Sequence, residues 1–232
     1  MATQRIWLMF SLAAVLVLLA ACTPKSPPGI GCESIREQRE RDICFSNLNT
    51  TDIAVCGNIS GESLRAGCYA DKAISLGDVG LCANAGVPKT VSYCYSEISS
   101  RTNNVSLCSE TPDLQWRDIC YQKIGGATGN VFVCDRIESD EVRSKCRFNV
   151  GIGFNNSEAC SEVLLFEDRR LCFYRVATAT QNLTLCRETE DTVFEGMCEK
   201  HIAAKRNDSS ICGGIRFSLL RDDCFAMFNS TK

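Results

Sequence analysis

The sequence predicts an all-α fold: a solenoid of eight disulfide-stapled α-helical hairpins, about 26 residues per repeat, after an N-terminal signal or anchor segment. Three observations predict it. The same pattern starts at Asp52, Asp78, Asn104, Asn130, Asn156, Asn182 and Asp208, after a degenerate first copy near residue 31. Every copy carries two cysteines twelve residues apart. Each copy also reads as a short helical arm, a turn and a longer helical arm. Self-similarity at a period of about 20–50 residues marks units that bury a common core only by stacking.

In chain order, Met1 to Arg5 is a short basic start and Ile6 to Ala20 an apolar run of fifteen residues. That run has the length of an export signal and is short for a spanning helix. It ends Leu19-Ala20-Ala21-Cys22. This motif, directly after such a run, resembles the lipobox of prokaryotic lipoproteins. The resemblance implies a signal peptide over 1–21, a diacylglyceryl thioether on Cys22 and cleavage before it. The alternative is an uncleaved N-terminal anchor helix. Cys22 is also the odd seventeenth cysteine, outside the repeats. Residues 22–30 carry Pro24, Pro27 and Pro28 and read as a short extended tether. The repeats fill 31–232.

Asn104 to Gly129 shows one unit. Asn104 is placed to N-cap a short helix. Pro112-Asp113 interrupts it. A second helix is expected from about Leu114 to Ala127, with Gly129 as its left-handed C′ residue. Cys108 and Cys120 lie symmetrically about residue 114, so the arms of the hairpin bring them level.

The step of twelve within a unit is constant, whereas the step between units is fourteen except from Cys44 to Cys56. A covalent loop keeps its length while a connection can vary. Pairing within units also leaves no cysteine of the repeats unpaired. The expected bridges are Cys32–Cys44, Cys56–Cys68, Cys82–Cys94, Cys108–Cys120, Cys134–Cys146, Cys160–Cys172, Cys186–Cys198 and Cys212–Cys224. So many bridges require an oxidising compartment.

Three columns surround the second cysteine. The residue after it is aromatic in Phe45, Tyr69, Tyr95, Tyr121, Phe173 and Phe225. Four residues after it stand Leu48, Ile98, Ile124, Val150, Val176, Ile202 and Phe228, with Lys72 the exception. This stripe reads as core between hairpins. Three residues before it stand Arg41, Arg65, Arg117, Arg143, Arg169 and Arg221. Their structural reading is stacking on the ring four residues on, or helix-end capping. A basic ladder for an anionic partner is the functional alternative.

Seven Asn-x-Ser/Thr sequons, at Asn49, Asn58, Asn104, Asn155, Asn182, Asn207 and Asn229, allow glycosylation. Asn104 and Asn182 are equally explained as N-caps.

Chemistry-bearing motifs are absent from the sequence. His201 is the single histidine. No Cys-x-x-Cys, nucleophile elbow, zinc-protease motif or phosphate loop occurs. No catalytic, metal or cofactor residue is expected. The carboxylate clusters Glu138/Asp140/Glu141 and Glu188/Glu190/Asp191 read as solvated turns. The departures Lys72, Arg147 and Glu199 suggest no constellation. A net charge of −3 offers no nucleic-acid footprint.

The hairpins resemble, in architecture only, secreted cysteine-rich Sel1-like helical repeat proteins, which are also disulfide-stapled hairpins. That resemblance implies an extracytoplasmic α-solenoid used for binding. The expected function is a non-enzymatic interaction scaffold, lipid-anchored to a prokaryotic membrane, for a protein, peptide or envelope polymer. The alternatives are a cell-envelope hydrolase or a thiol-based metal-binding protein.

Overall fold

The structure, a computed structural model, describes residues 31–229. The expected signal peptide and tether, with Cys22, lie outside the described residues. Helix makes up 76% of the structure and no strand occurs among the described residues, as the 26-residue pattern requires. The long arms are α1 (Gln38–Ser46), α2 (Glu62–Leu76), α3 (Pro88–Thr102), α4 (Leu114–Thr128), α5 (Asp140–Phe154), α6 (Phe166–Thr180), α7 (Thr192–Arg206) and α8 (Ser218–Asn229). The short arms are α-helical in hairpins four to seven and 3₁₀ turns in the others.

Two compact units divide between Leu64 and Arg65. In the first, the Cys32–Cys44 bridge joins the short arm to α1, and Phe45 beside it is buried. In the second, successive hairpins stack, each long arm packing on the next from α3 to α8.

From the end of the second hairpin on, each hairpin boundary is written twice in the backbone. The last residue of the preceding unit is left-handed: Gly77, Asn103, Gly129, Asn155, Gln181 and Asn207 have φ between 52° and 71°. The next residue caps the short arm. Asp52, Asp78, Asn104, Asn130, Asn182 and Asp208 accept from the N–H two residues on, and Asn156 from Ala159, at 2.9–3.2 Å. A left-handed C′ residue ends one helix where an Asx side chain starts the next.

The bridges are within hairpins. Seven pairs, from Cys32–Cys44 and Cys82–Cys94 to Cys212–Cys224, have Cα–Cα separations of 5.5–5.7 Å. That is the middle of the range a disulfide accepts. Cys56 and Cys68 are disulfide-bonded as well.

The apolar column four residues after the second cysteine is the core. Ile98, Ile124, Val150, Val176 and Ile202 are all within 2% of complete burial. Leu48 is 37% exposed, so the column is not core in the first hairpin. One residue further on, every long arm from α2 to α7 carries a small residue: Ala73, Ser99, Gly125, Gly151, Ala177 and Ala203. At the two glycines the reason is visible. A Cβ on Gly125 would lie 2.8 Å from Cys146 Sγ, and one on Gly151 2.5 Å from Cys172 Sγ. The disulfide of each of these hairpins therefore rests directly on the preceding helix.

A second link runs through the position two residues before the second cysteine. Asp118, 3% exposed, accepts from the N–H groups of Glu138 and Ser139 at 3.0 and 2.9 Å, at the start of the next long arm. Asp42 does the same with Ser60 and Gly61. Ser92 accepts from Asp113 N–H and Ser144 from Leu164 N–H. Arg170 reaches the same place with reversed polarity, donating to the Asp191 carboxylate at 3.0 Å. Ala66 has no acceptor to offer, and there the Val87 N–H turns to Ala85 O instead.

Three arginines of the column make the capping contact, the second of the two structural readings. Arg41, Arg143 and Arg169 each donate from Nη1 to the carbonyl six residues back, on Ile35, Ile137 and Val163, at 2.7–3.2 Å. Long helical side chains lean toward the helix N-terminus, so the guanidinium reaches the turn behind it and not the ring ahead. Cation–ring contacts join Arg169 and Arg170 to Phe166, and Arg170 at 3.9 Å to Phe194.

Candidate functional site

A concave groove of the second unit runs across α5, α6, α7 and α8. Its main lobe encloses about 980 Å³ and its second about 360 Å³. The lobes share Tyr174, Met197 and His201, so they form one trough. Phe148 and Ile152 of α5, Leu171 and Tyr174 of α6, and Phe194 and Met197 of α7 wall the main lobe. Leu220 and Met227 of α8 close the second. Ligand pockets of about 300–1,000 Å³ with apolar walls and a few polar groups are the common binding type.

The trough is built from the repeat and from its exceptions. The residue two after the second cysteine lies about 200° round the long arm from it, away from the bridge. In most hairpins that residue is small or polar: Ser46, Ala70, Ser96, Gln122 and Ala226. In α5 and α6 it is Phe148 and Tyr174. The Tyr174 ring then meets Phe194 edge-on at 6.2 Å and His201 at 6.4 Å. These T-shaped contacts fix the wall. On the other side of Phe194 lies Arg170, held by Asp191 and Glu167.

The rim is cationic. Lys205 donates to Thr178 O at 3.2 Å, and Lys200 pairs with Asp223. Arg175 lines the groove with no ion-pair partner among the described residues. An apolar, aromatic trough with a free guanidinium on its edge suits an extended chain that carries apolar groups and a negative charge.

The other residues singled out by sequence fall elsewhere. Glu138, Asp140 and Glu141 pair with Arg117, Arg143 and Lys145. Lys145, through its hydrogen bond first and its charge second, holds the Glu141 carboxyl below the usual range. Asp191 caps α7 through Val193 and Phe194 N–H. His201 alone among the expected unusual residues lines the groove. All sixteen cysteines from Cys32 to Cys224 are in disulfides, so none of them offers a thiolate to a metal. No group of three metal-ligating side chains occurs among the described residues.

The seven sequon asparagines are exposed. Four are hairpin junctions: Asn104 and Asn182 are caps, and Asn155 and Asn207 are left-handed. The hydroxyl that completes the sequon has its own use. Ser106 and Thr184 donate to the Asn104 and Asn182 side chains at 2.7 Å. Ser210 makes the same bond to Asp208, which no glycan can join. Junction geometry therefore accounts for these sequences by itself.

No helix of the described residues is long and apolar enough to cross a membrane. No protein-family model, no curated protein and no solved structure matches this chain.

Proposed function

We propose that this protein is an extracytoplasmic interaction scaffold, anchored to a prokaryotic membrane through a lipid on Cys22, that holds an extended protein or peptide segment in the α5–α8 groove. A protein, peptide or envelope polymer would fit a helical repeat surface, and the groove favours a peptide with apolar side chains and an acidic residue. The observation that carries this is the trough of about 980 Å³ walled by Phe148, Leu171, Tyr174, Phe194 and Met197. The disulfides support the location, because they persist in oxidising compartments. The Leu19-Ala20-Ala21-Cys22 sequence supports the anchor, since stable anchoring takes two acyl chains.

Photocrosslinking in the native envelope tests the scaffold reading. A crosslinker at Met197 should give a discrete adduct, and one at exposed Glu188 should not. Equal yields from the two positions would contradict a groove-bound partner. Labelling with a tagged fatty acid tests the anchor: wild type should be labelled and Cys22→Ala should not, and equal labelling of both contradicts it.

A further inference from the structure

Hairpins five and seven break the aromatic column with charged residues at equivalent places, and comparing them identifies a second site. In hairpin five, Arg147 replaces the ring. Its Nη2 pairs with Asp135 at 2.8 Å on the short arm and with Glu162 at 2.6 Å on the next hairpin. In hairpin seven the equivalent residue is Glu199, the short-arm partner is Arg187, and the place of Glu162 is taken by Gly214. The charges are reversed and the third member is missing. A cavity of about 260 Å³ stands in its place, lined by Glu199, Arg187, Gly214, Leu183 and Ile211 among others.

Glu199 is 9% exposed and its Oε2 has no hydrogen-bond partner. Neighbouring Glu195 is also buried but is neutralised by Arg216. Burial first, and the Glu195 charge second, push the Glu199 carboxyl above its ordinary range, against the pull of Arg187 and Arg216. Arg187 makes no ion pair among the described residues, although it lines the same cavity. A buried carboxyl oxygen without a donor is costly. Hairpin five shows what can satisfy a charge at this corner: an oppositely charged group reaching in from the next hairpin.

We propose that the cavity binds a small zwitterion, an aliphatic α-amino acid, with its ammonium on Glu199 and its carboxylate on Arg187. The ammonium takes the place that Glu162 holds opposite Arg147, and Leu183 and Ile211 receive the aliphatic side chain. The volume lies just below the range of drug-sized pockets and suits a molecule of this size.

Leucine titrated into the intact protein, followed by amide chemical shifts of the short arms around Leu183 and Ile211, tests this. Saturable shifts are expected there. 3-Methylbutylamine and 4-methylpentanoate, each with one charge, should bind at least about tenfold more weakly, roughly 1.4 kcal/mol. Glu199→Gln should lose leucine by a similar factor. Gly214→Lys supplies the missing cation from within; space for its Cβ is open, so it should fold and should exclude leucine. No saturable shift with leucine overturns the proposal. So does wild-type affinity in either variant. An amine that binds as tightly as leucine overturns the pairing with Arg187. If Glu199→Gln does not fold, Gly214→Lys decides.

Discussion

Gly125 and Gly126 are adjacent in α4, yet adding one methyl group to each should have opposite effects. Nothing lies within 4 Å of a Cβ built on Gly126. Gly126→Ala should therefore gain the helix propensity of alanine, about 0.5–1 kcal/mol. A Cβ on Gly125 would sit 2.8 Å from Cys146 Sγ and 3.1 Å from Cys134 Sγ. Those sulfurs belong to one disulfide whose cysteines are fully buried, so neither can turn aside. Gly125→Ala gains the same propensity but adds overpacking, which costs about 1–3 kcal/mol. The propensity gain cancels between the two variants, and their difference isolates the contact. Repeat arrays respond locally, so hydrogen exchange of α4 and α5 amides is the suitable measure. Protection in Gly125→Ala should be roughly 5- to 150-fold below that in Gly126→Ala, at about 1.4 kcal/mol per tenfold. Gly151→Ala, at 2.5 and 2.8 Å from the Cys172 and Cys160 sulfurs, should lose at least as much. Equal protection in the Gly125 and Gly126 variants would refute the seating of each disulfide on the preceding helix.

Asp118→Ala leaves the Glu138 and Ser139 N–H groups without their acceptor and should cost about 1.5–3 kcal/mol, read as lost protection at the start of α5. Asp42 gives a pH dependence. Its carboxyl lies below the ordinary range, chiefly through the Ser60 N–H, with Gly61, Gln38 and Arg41 adding to this against the effect of burial. The folded value is lower than the unfolded one, so the contribution is full above the unfolded value, about pH 4, and is lost as pH falls through the folded one. Protection of the Ser60 and Gly61 amides should decline over that window in wild type and stay flat in Asp42→Asn; identical profiles would argue against the contact. Replacing Cys134 and Cys146 together by serine should cost about 2–5 kcal/mol. Hairpin five should then open most, with protection rising with distance along α3 to α7, and a uniform loss there would argue for a single globular core.

The periodic features were legible in the sequence because one chemistry fills each of them. Asp or Asn starts every unit after the first, a cysteine pair spans every turn, and an aliphatic residue follows at helical spacing. The link through Asp118 was hidden because its equivalents are Asp, Ser, Arg, Ala and Gly. They share a direction and not a chemistry, and only coordinates show that Ser144 and Asp118 do one job. The small residue after Ile124 or Val150 was visible as a column, but its cause is a sulfur contributed by the next hairpin. For the arginine column the sequence left two structural readings, stacking and capping, because spacing says which residues share a face and not which way a long side chain leans. Within the groove, Phe148 and Tyr174 were detectable as large residues where other units have small ones. The relation between Arg147 and Glu199 is not legible in the sequence, because Asp135, Glu162 and Arg187 lie on other arms.

The staple within each hairpin underlies the fold, the seating of the helices and both proposed sites. Peptide mapping of the intact protein without reduction measures it directly. The expected peptides join Cys108 to Cys120 and Cys160 to Cys172, at the Cα separations of 5.6 and 5.5 Å in the structure. A dominant peptide joining Cys120 to Cys134 would mean that neighbouring hairpins are stapled to each other, and would contradict the staple within each hairpin.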